Sequence, residues 1–345
     1  MKIESKKVHA EWQEFTLTNN QGMTVSALNY GGIITRILVP DRNGNLENVV
    51  LGFKNYADYE SNSNYFGALI GPVAGRIQDA SFELNEQKYM LEENEGKNHL
   101  HGGSAGFHQV IWNVEAFQTG DTVGLKLTHK SPDGEGGYPG TADIEVTYTL
   151  NNENQFIIDY SAASDQTTPL TLTNHSYFNL SGNIKNTVHQ HHVTMDSGKF
   201  VELDEELIPT GSLIDVSGTS FDFRNGRFLE DGFKDNSKQN KIAGGGYDHN
   251  FIFDNIKEEN VIVYEKQSGR VLTIKTDQPG MVMYTSNGLD GKLELAEGLS
   301  RKHLGVCFET QASPASLHYK GFPSVILKAD KEYNKRTFFS FGVEE

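Results

Sequence analysis

The sequence predicts an all-β protein, a large antiparallel β-sandwich or barrel, and three observations carry that prediction. Apolar residues alternate with polar ones in many short runs, and turn-forming clusters separate them. Thirty-five glycines supply those turns. No long segment of 3.6-residue period lies between the runs. Helices should therefore be few and short, and without a βαβ rhythm the strands should pair antiparallel.

Taken in order, Asp41-Arg42-Asn43-Gly44-Asn45 marks an early turn. Val123, Leu125 and Leu127 follow a period of two, as do Ile144, Val146, Tyr148 and Leu150, and then Phe156, Ile158 and Tyr160. Asn151-Asn152-Glu153-Asn154 lies between the last two runs, and residues of that type tolerate the backbone of a hairpin turn. A second hairpin joins Val261–Tyr264 to Val271–Ile274 through Gln267-Ser268-Gly269, where the glycine can take a left-handed conformation.

The chain has 345 residues, 37% of them hydrophobic and 22% charged, enough to bury a large core as one β domain. A net charge of -16 with no basic block repels phosphate backbones and anionic lipid headgroups, so nucleic acid and membranes are not expected partners. Met1 to Trp12 carries Lys2, Glu4, Lys6, Lys7 and Glu11 in place of an apolar leader, and no stretch reaches membrane-spanning length. Cys307 is the only cysteine, which excludes an intrachain disulfide and an all-cysteine zinc site. A cytoplasmic address is expected, with the sequences Asn174-His175-Ser176 and Asn179-Leu180-Ser181 incidental as glycosylation patterns.

Five stretches could carry chemistry. Gly71-Pro72-Val73-Ala74-Gly75-Arg76-Ile77 ends in an arginine whose guanidinium can donate to several hydroxyls, although a turn with a surface arginine fits as well. Asn98-His99-Leu100-His101-Gly102-Gly103 sets two histidines at strand spacing before a turn. Metal binding there would need a further ligand, and a hydrogen-bonded structural histidine is the alternative. Leu172-Thr173-Asn174-His175-Ser176-Tyr177-Phe178-Asn179-Leu180 surrounds an imidazole with polar and aromatic groups, suited to proton transfer or to a core hydrogen bond. Gly244-Gly245-Gly246-Tyr247-Asp248-His249-Asn250 delivers a carboxylate able to clamp adjacent hydroxyls, and lacks the lysine and helix of a phosphate loop. Val306-Cys307-Phe308-Glu309-Thr310-Gln311-Ala312-Ser313-Pro314 puts Glu309 in an apolar strand, where an inward carboxylate needs a partner or a task and an outward one needs neither. His189-Gln190-His191-His192 reads as a solvated strand rather than a metal site, and Cys307 as a small buried hydrophobe rather than a nucleophile.

The order of G-P-V-A-G-R-I, L-H-G-G, N-H-S-Y-F-N-L, G-Y-D-H and C-F-E-T-Q resembles the aldose 1-epimerase (galactose mutarotase) family. The likeness runs from Leu28-Asn29-Tyr30-Gly31-Gly32 through Pro132-Asp133-Gly134-Glu135-Gly136-Gly137-Tyr138-Pro139-Gly140 to Glu309-Thr310-Gln311. It implies one supersandwich domain over residues 1–345 that interconverts the α and β anomers of a free aldohexose, galactose or glucose. Matched residue by residue, it places the general base on Glu309 and the general acid on His175. Arg76, His101 and Asp248 fall on substrate-binding positions, with His101 near the ring oxygen, and His99 is not carried over. A carboxylate near Glu309's ordinary range is ionised at neutrality, and an imidazole beside it can be kept protonated. The reaction is redox-neutral, so no nicotinamide, nucleotide or metal is required. Gly75 stands where some relatives carry asparagine and Val282 where some carry glutamine, which implies fewer contacts to the sugar. The expected partner is a small monosaccharide, with the chain a monomer or homodimer. A hexose 6-phosphate epimerase and a non-catalytic sugar-binding protein are the competing readings.

Overall fold

A computed structural model describes residues 1–255 and 259–344. Its strands form a nine-stranded, a six-stranded and a five-stranded sheet with several two-stranded ribbons, and every pair of strands in them is antiparallel. Among the described residues the α-helices are two five-residue segments, Glu230–Lys234 and Lys238–Ile242, as the missing helical period predicts.

The nine-stranded sheet is where periodicity governs. Thr122–Ser131, Ala142–Asn151, Gln155–Ser164 and Glu332–Val343 lie side by side in it, followed by Arg270–Thr276 and Val261–Glu265. Val123, Leu125, Leu127, Ile144, Val146, Tyr148, Leu150, Phe156, Ile158 and Tyr160 all point into one core. Each such side chain removed from water contributes about 1.5–3 kcal/mol. Both expected hairpins form, with Asn154 at φ 56 and Gly269 at φ 75 in their turns.

The six-stranded sheet packs against that core from the other side. Its order is Tyr177–Phe178, Val306–Thr310, Gly280–Tyr284, Asp248–Ile252, Lys199–Leu203 and Pro209–Asp215. Phe251, Met281, Met283 and Phe308 project into the shared core, and the Phe178 ring stacks on Phe339 of the nine-stranded sheet at 5.4 Å. Because side chains alternate along a strand, the residues between these apolar ones face the opposite way. That second face is the floor of a cavity.

Candidate active site

The cavity has a volume of about 390 Å³. Three neighbouring strands build its floor, and their register sets two rows of side chains across it. Asn250 pairs with Val282 and Val282 with Glu309 in one row, while Asp248 pairs with Tyr284 and Tyr284 with Cys307 in the other. The triple glycine supplies the entry to the first strand: Gly244 and Gly245 have φ of 79° and 88°, and a Cβ on Gly246 would meet Asn287 Oδ1 at 2.2 Å. This tight turn delivers Asp248 to the floor.

All five residues that the resemblance singles out, Arg76, His101, His175, Asp248 and Glu309, line this one cavity. Glu309 is inward and 3% exposed, so the outward alternative is removed. His175 follows the short strand Thr173–Asn174, which pairs with Leu69–Ile70 and is pinned by Asn174 Nδ2 donating to the Gly67 carbonyl at 2.8 Å. Its Nε2 lies 3.5 Å from Glu309 Oε1, and its Nδ1 lies 3.5 Å from the Cys307 sulfur.

His101 departs from the expected strand geometry. The strand ends at Leu100, and His101 adopts φ 54, so the two histidines diverge instead of sharing a face. His99 turns away and bonds the Glu92 carbonyl at 2.7 Å. His101 stands perpendicular to the His175 ring with centroids 5.4 Å apart, and its Nδ1 accepts the Gly75 N–H at 3.1 Å. That acceptance leaves the proton of a neutral ring on Nε2, making His101 a hydrogen-bond donor toward a ligand oxygen.

Arg76 is held by a partner that the motifs did not reveal. Its Nε and Nη2 donate to the two Glu95 oxygens at 2.6 and 2.9 Å, while Nη1 lies 3.7 Å from Asp248 Oδ2. Tyr65, also unanticipated, packs edge-on against His101 at 4.7 Å and tilted against His175 at 5.8 Å. Asn250 and Gln311 complete the unforeseen set. The Asn250 amide has neither polar atom bonded to protein, and Gln311 keeps its Oε1 unpaired while Nε2 donates to the Ala74 carbonyl at 3.0 Å. Asn250 and Gln311 lie within two of the quoted stretches without having been given a role, whereas Glu95 and Tyr65 lie outside all of them and are gathered only by the tertiary fold. Asn250 also qualifies the expected shortage of contacts around Val282, since it adds a buried amide beside that valine.

Burial sets the charges. Desolvation, reinforced by Asp248, pushes the Glu309 carboxyl well above its ordinary range. Desolvation also lowers His175 to about 3, so the expectation of an imidazole kept protonated by the carboxylate does not hold for the empty cavity. There burial disfavours the charged form of both groups, the carboxylate and the imidazolium alike. Asp248 is raised by burial against the opposing pull of Arg76. Burial likewise raises the Cys307 thiol, which keeps it protonated and packed as a small hydrophobe, not a nucleophile.

His101, His175 and Glu309 could bring three ligand atoms within 4.8 Å of one another for a metal ion. The Gly75 amide opposes that use, because His101 Nε2 would have to lose its proton while Nδ1 still accepts a hydrogen bond. The His189–His192 segment is no solvated strand: His191 is buried and accepts the Leu180 N–H at Nε2, 2.8 Å away. His189 and His192 instead meet Thr187 and Phe228. Asn174 and Asn179 are both buried, consistent with incidental glycosylation patterns. No described helix is long and apolar enough to cross a membrane.

Comparison with known proteins agrees with this architecture. The family model "Aldose 1-epimerase" matches residues 13–340. Galactose mutarotase of Sus scrofa is 41% identical over 338 residues, covering 96% of this chain and 94% of its own. Aldose 1-epimerase of Streptococcus thermophilus is 33% identical over 338 residues, covering 95% and 94%. The crystal structure of galactose 1-epimerase from Lactobacillus acidophilus superposes with a TM-score of 0.89 at 26% identity, covering 100% of both chains. Fold and relatives together define a carbohydrate isomerase of the mutarotase type. Within that class the chain belongs to the aldose 1-epimerase family.

Proposed function

We propose that this protein interconverts the α and β anomers of free aldohexoses, galactose and glucose, with Glu309 as general base and His175 as general acid. The observation that carries the reading is the 3.5 Å approach of His175 Nε2 to Glu309 Oε1 at the wall of a cavity they share with Arg76, His101 and Asp248. The two oxygens on an anomeric carbon, O1 and O5, are a matching pair of targets for two such groups. In the empty cavity burial favours the proton on the carboxyl over the imidazole. Its transfer to the imidazole readies both groups, and the sugar supplies the partners that the ionised pair needs: O1–H donates to Glu309 and O5 accepts from His175. The base then takes the O1 proton as the acid delivers one to O5, and the C1–O5 bond opens. Rotation about C1–C2 and the reverse transfers close the other anomer, returning each proton. His101 donates near O5, while Arg76 and Asp248 hold the other hydroxyls.

Among the described residues Arg76 is the only lysine or arginine lining the cavity and is already engaged by Glu95 and Asp248, which favours an uncharged hexose over a hexose phosphate. One domain over residues 1–345 is supported by a core cluster that draws its residues from Leu17 through to Phe341. A cytoplasmic address is supported by the unpaired buried thiol and the buried Asn-X-Ser sequences.

Polarimetry on freshly dissolved α-galactose tests the assignment. The wild type should speed the approach to anomeric equilibrium, and Glu309→Ala should reduce kcat by about 10²–10⁴-fold while the fold persists. An undiminished rate in that variant removes Glu309 as the base. The same measurement on glucose, xylose, arabinose and a hexose 6-phosphate ranks the substrates.

A further inference from the structure

Buried polar groups in folded proteins are paired, and the exceptions call for an explanation. Among the described residues Asn250 is the one asparagine whose buried side-chain oxygen and nitrogen both lack a protein partner. Other buried asparagines of this chain are tied down: Asn174 to the Gly67 carbonyl, Asn179 to the Asn186 and Leu304 carbonyls, Asn240 to the Gly246 carbonyl. Asn250 is 6% exposed, lines the cavity, and sits in the floor row that ends in Glu309. Its row neighbour Val282 and the nearby cavity residue Val201 offer no polar side-chain atom.

From this we infer that Asn250 is a specificity-determining residue that hydrogen-bonds a ring hydroxyl of the sugar remote from C1. The inference rests on the reading of this cavity as a monosaccharide site with the anomeric centre at Glu309. A carboxamide presents a donor and an acceptor together, and a sugar hydroxyl needs one of each. One strand separates Asn250 from the Glu309 strand, so the amide meets a part of the ring away from the reacting carbon. Asp248, two residues earlier on the same strand face, holds a neighbouring hydroxyl. A sugar lacking the hydroxyl read by Asn250 leaves the amide unpaired and is discriminated against, which makes the residue a reader of sugar identity, not of anomeric chemistry.

The test compares the wild type with Asn250→Leu on galactose and on its monodeoxy analogues at C2, C3, C4 and C6. On galactose the variant should lose about tenfold or more in kcat/KM, chiefly through KM. On one analogue, the one missing the contacted hydroxyl, that penalty should vanish. Because leucine removes an unpaired buried amide, the Tm of the variant should be no lower than that of the wild type. An equal penalty on every analogue, an unchanged kcat/KM on galactose, or a lowered Tm overturns the assignment. A wild type that accelerates no anomer exchange would instead defeat the proposed function. The same panel is then run as sugar binding by calorimetry, and an affinity for galactose unaltered by Asn250→Leu overturns the role of Asn250 separately.

Discussion

Strands of the nine-stranded sheet such as Ala142–Asn151 and Gln155–Ser164 alternate buried with more exposed positions, and apart from Ser164 their inward residues are apolar. In the six-stranded sheet Val306–Thr310 is buried at every position, and polar side chains occupy the face turned from the core. Glu309, Asp248 and Asn250 stand there with few or distant partners. The first sheet buries what water rejects and so favours folding. The second holds desolvated carboxyls and an unpaired amide, each of which opposes folding and is compensated by the core beneath. Stability and chemistry are thus divided between two faces of one sandwich.

That division is broken most forcefully by exchanging the damage. Ile158→Ala, in the nine-stranded sheet, should lower unfolding free energy by about 2–5 kcal/mol, measured by urea denaturation, while kcat for anomer exchange stays near the wild-type value. Glu309→Ala should do the reverse. The folded Glu309 carboxyl holds its proton above the pH at which the unfolded one releases it, so its contribution to stability falls as pH rises above the ordinary 4.5. Removing it at neutral pH should therefore leave Tm unchanged or raise it. A large loss of activity in Ile158→Ala below its melting range would show that the two faces are not separable.

The same contrast explains how much could be read from the residues alone. Period-two runs located the nine-stranded sheet and both hairpins, because a strand with one wet face writes its burial into the sequence. Val306–Thr310 gives no such alternation, since both of its faces are buried, and the inward aim of Glu309 emerged only from register with Val282 and Asn250. The resemblance carried by motif order singled out Arg76, His101, His175, Asp248 and Glu309, which line one cavity. It could not locate Glu95, nineteen residues after Arg76, or Tyr65, because each is brought in by loops whose course depends on tertiary packing. Nor could it fix the direction of the pKa shifts, which follow from burial that the residue types do not encode.

Those shifts provide the next test of the floor. A carboxylate and an imidazole at their ordinary values, 4.5 and 6.5, would be jointly active only between those two pH values. Here a single proton is shared by the pair: the acid limb appears when His175 gains a second proton, and His175 is lowered to about 3. The alkaline limb appears when Glu309 loses the last one, and Glu309 is raised. The pH profile of kcat/KM should accordingly reach below the 4.5–6.5 window on its acid side, with its alkaline limb moved upward by the raised Glu309 carboxyl. A narrow bell confined to that window would mean the floor is far wetter than its packing indicates.

The smallest effect belongs to the rim. Glu95 grips Arg76 through two hydrogen bonds, yet its side chain is 36% exposed, so water screens the pair and can replace part of what a substitution removes. Glu95→Gln keeps one acceptor and the shape of the side chain but cancels the charge. Arg76 then remains beside Asp248 with a looser hold on its orientation. Since Arg76 is proposed to bind hydroxyls and not to move protons, the loosening should appear in KM, by roughly three- to tenfold, with kcat nearly unchanged. Raising the salt concentration should narrow the difference between variant and wild type, as expected for a partly solvated ion pair. A fall in kcat matching the rise in KM would place Arg76 in the transition state, and the boundary between binding rim and reacting floor would have to be redrawn to include it.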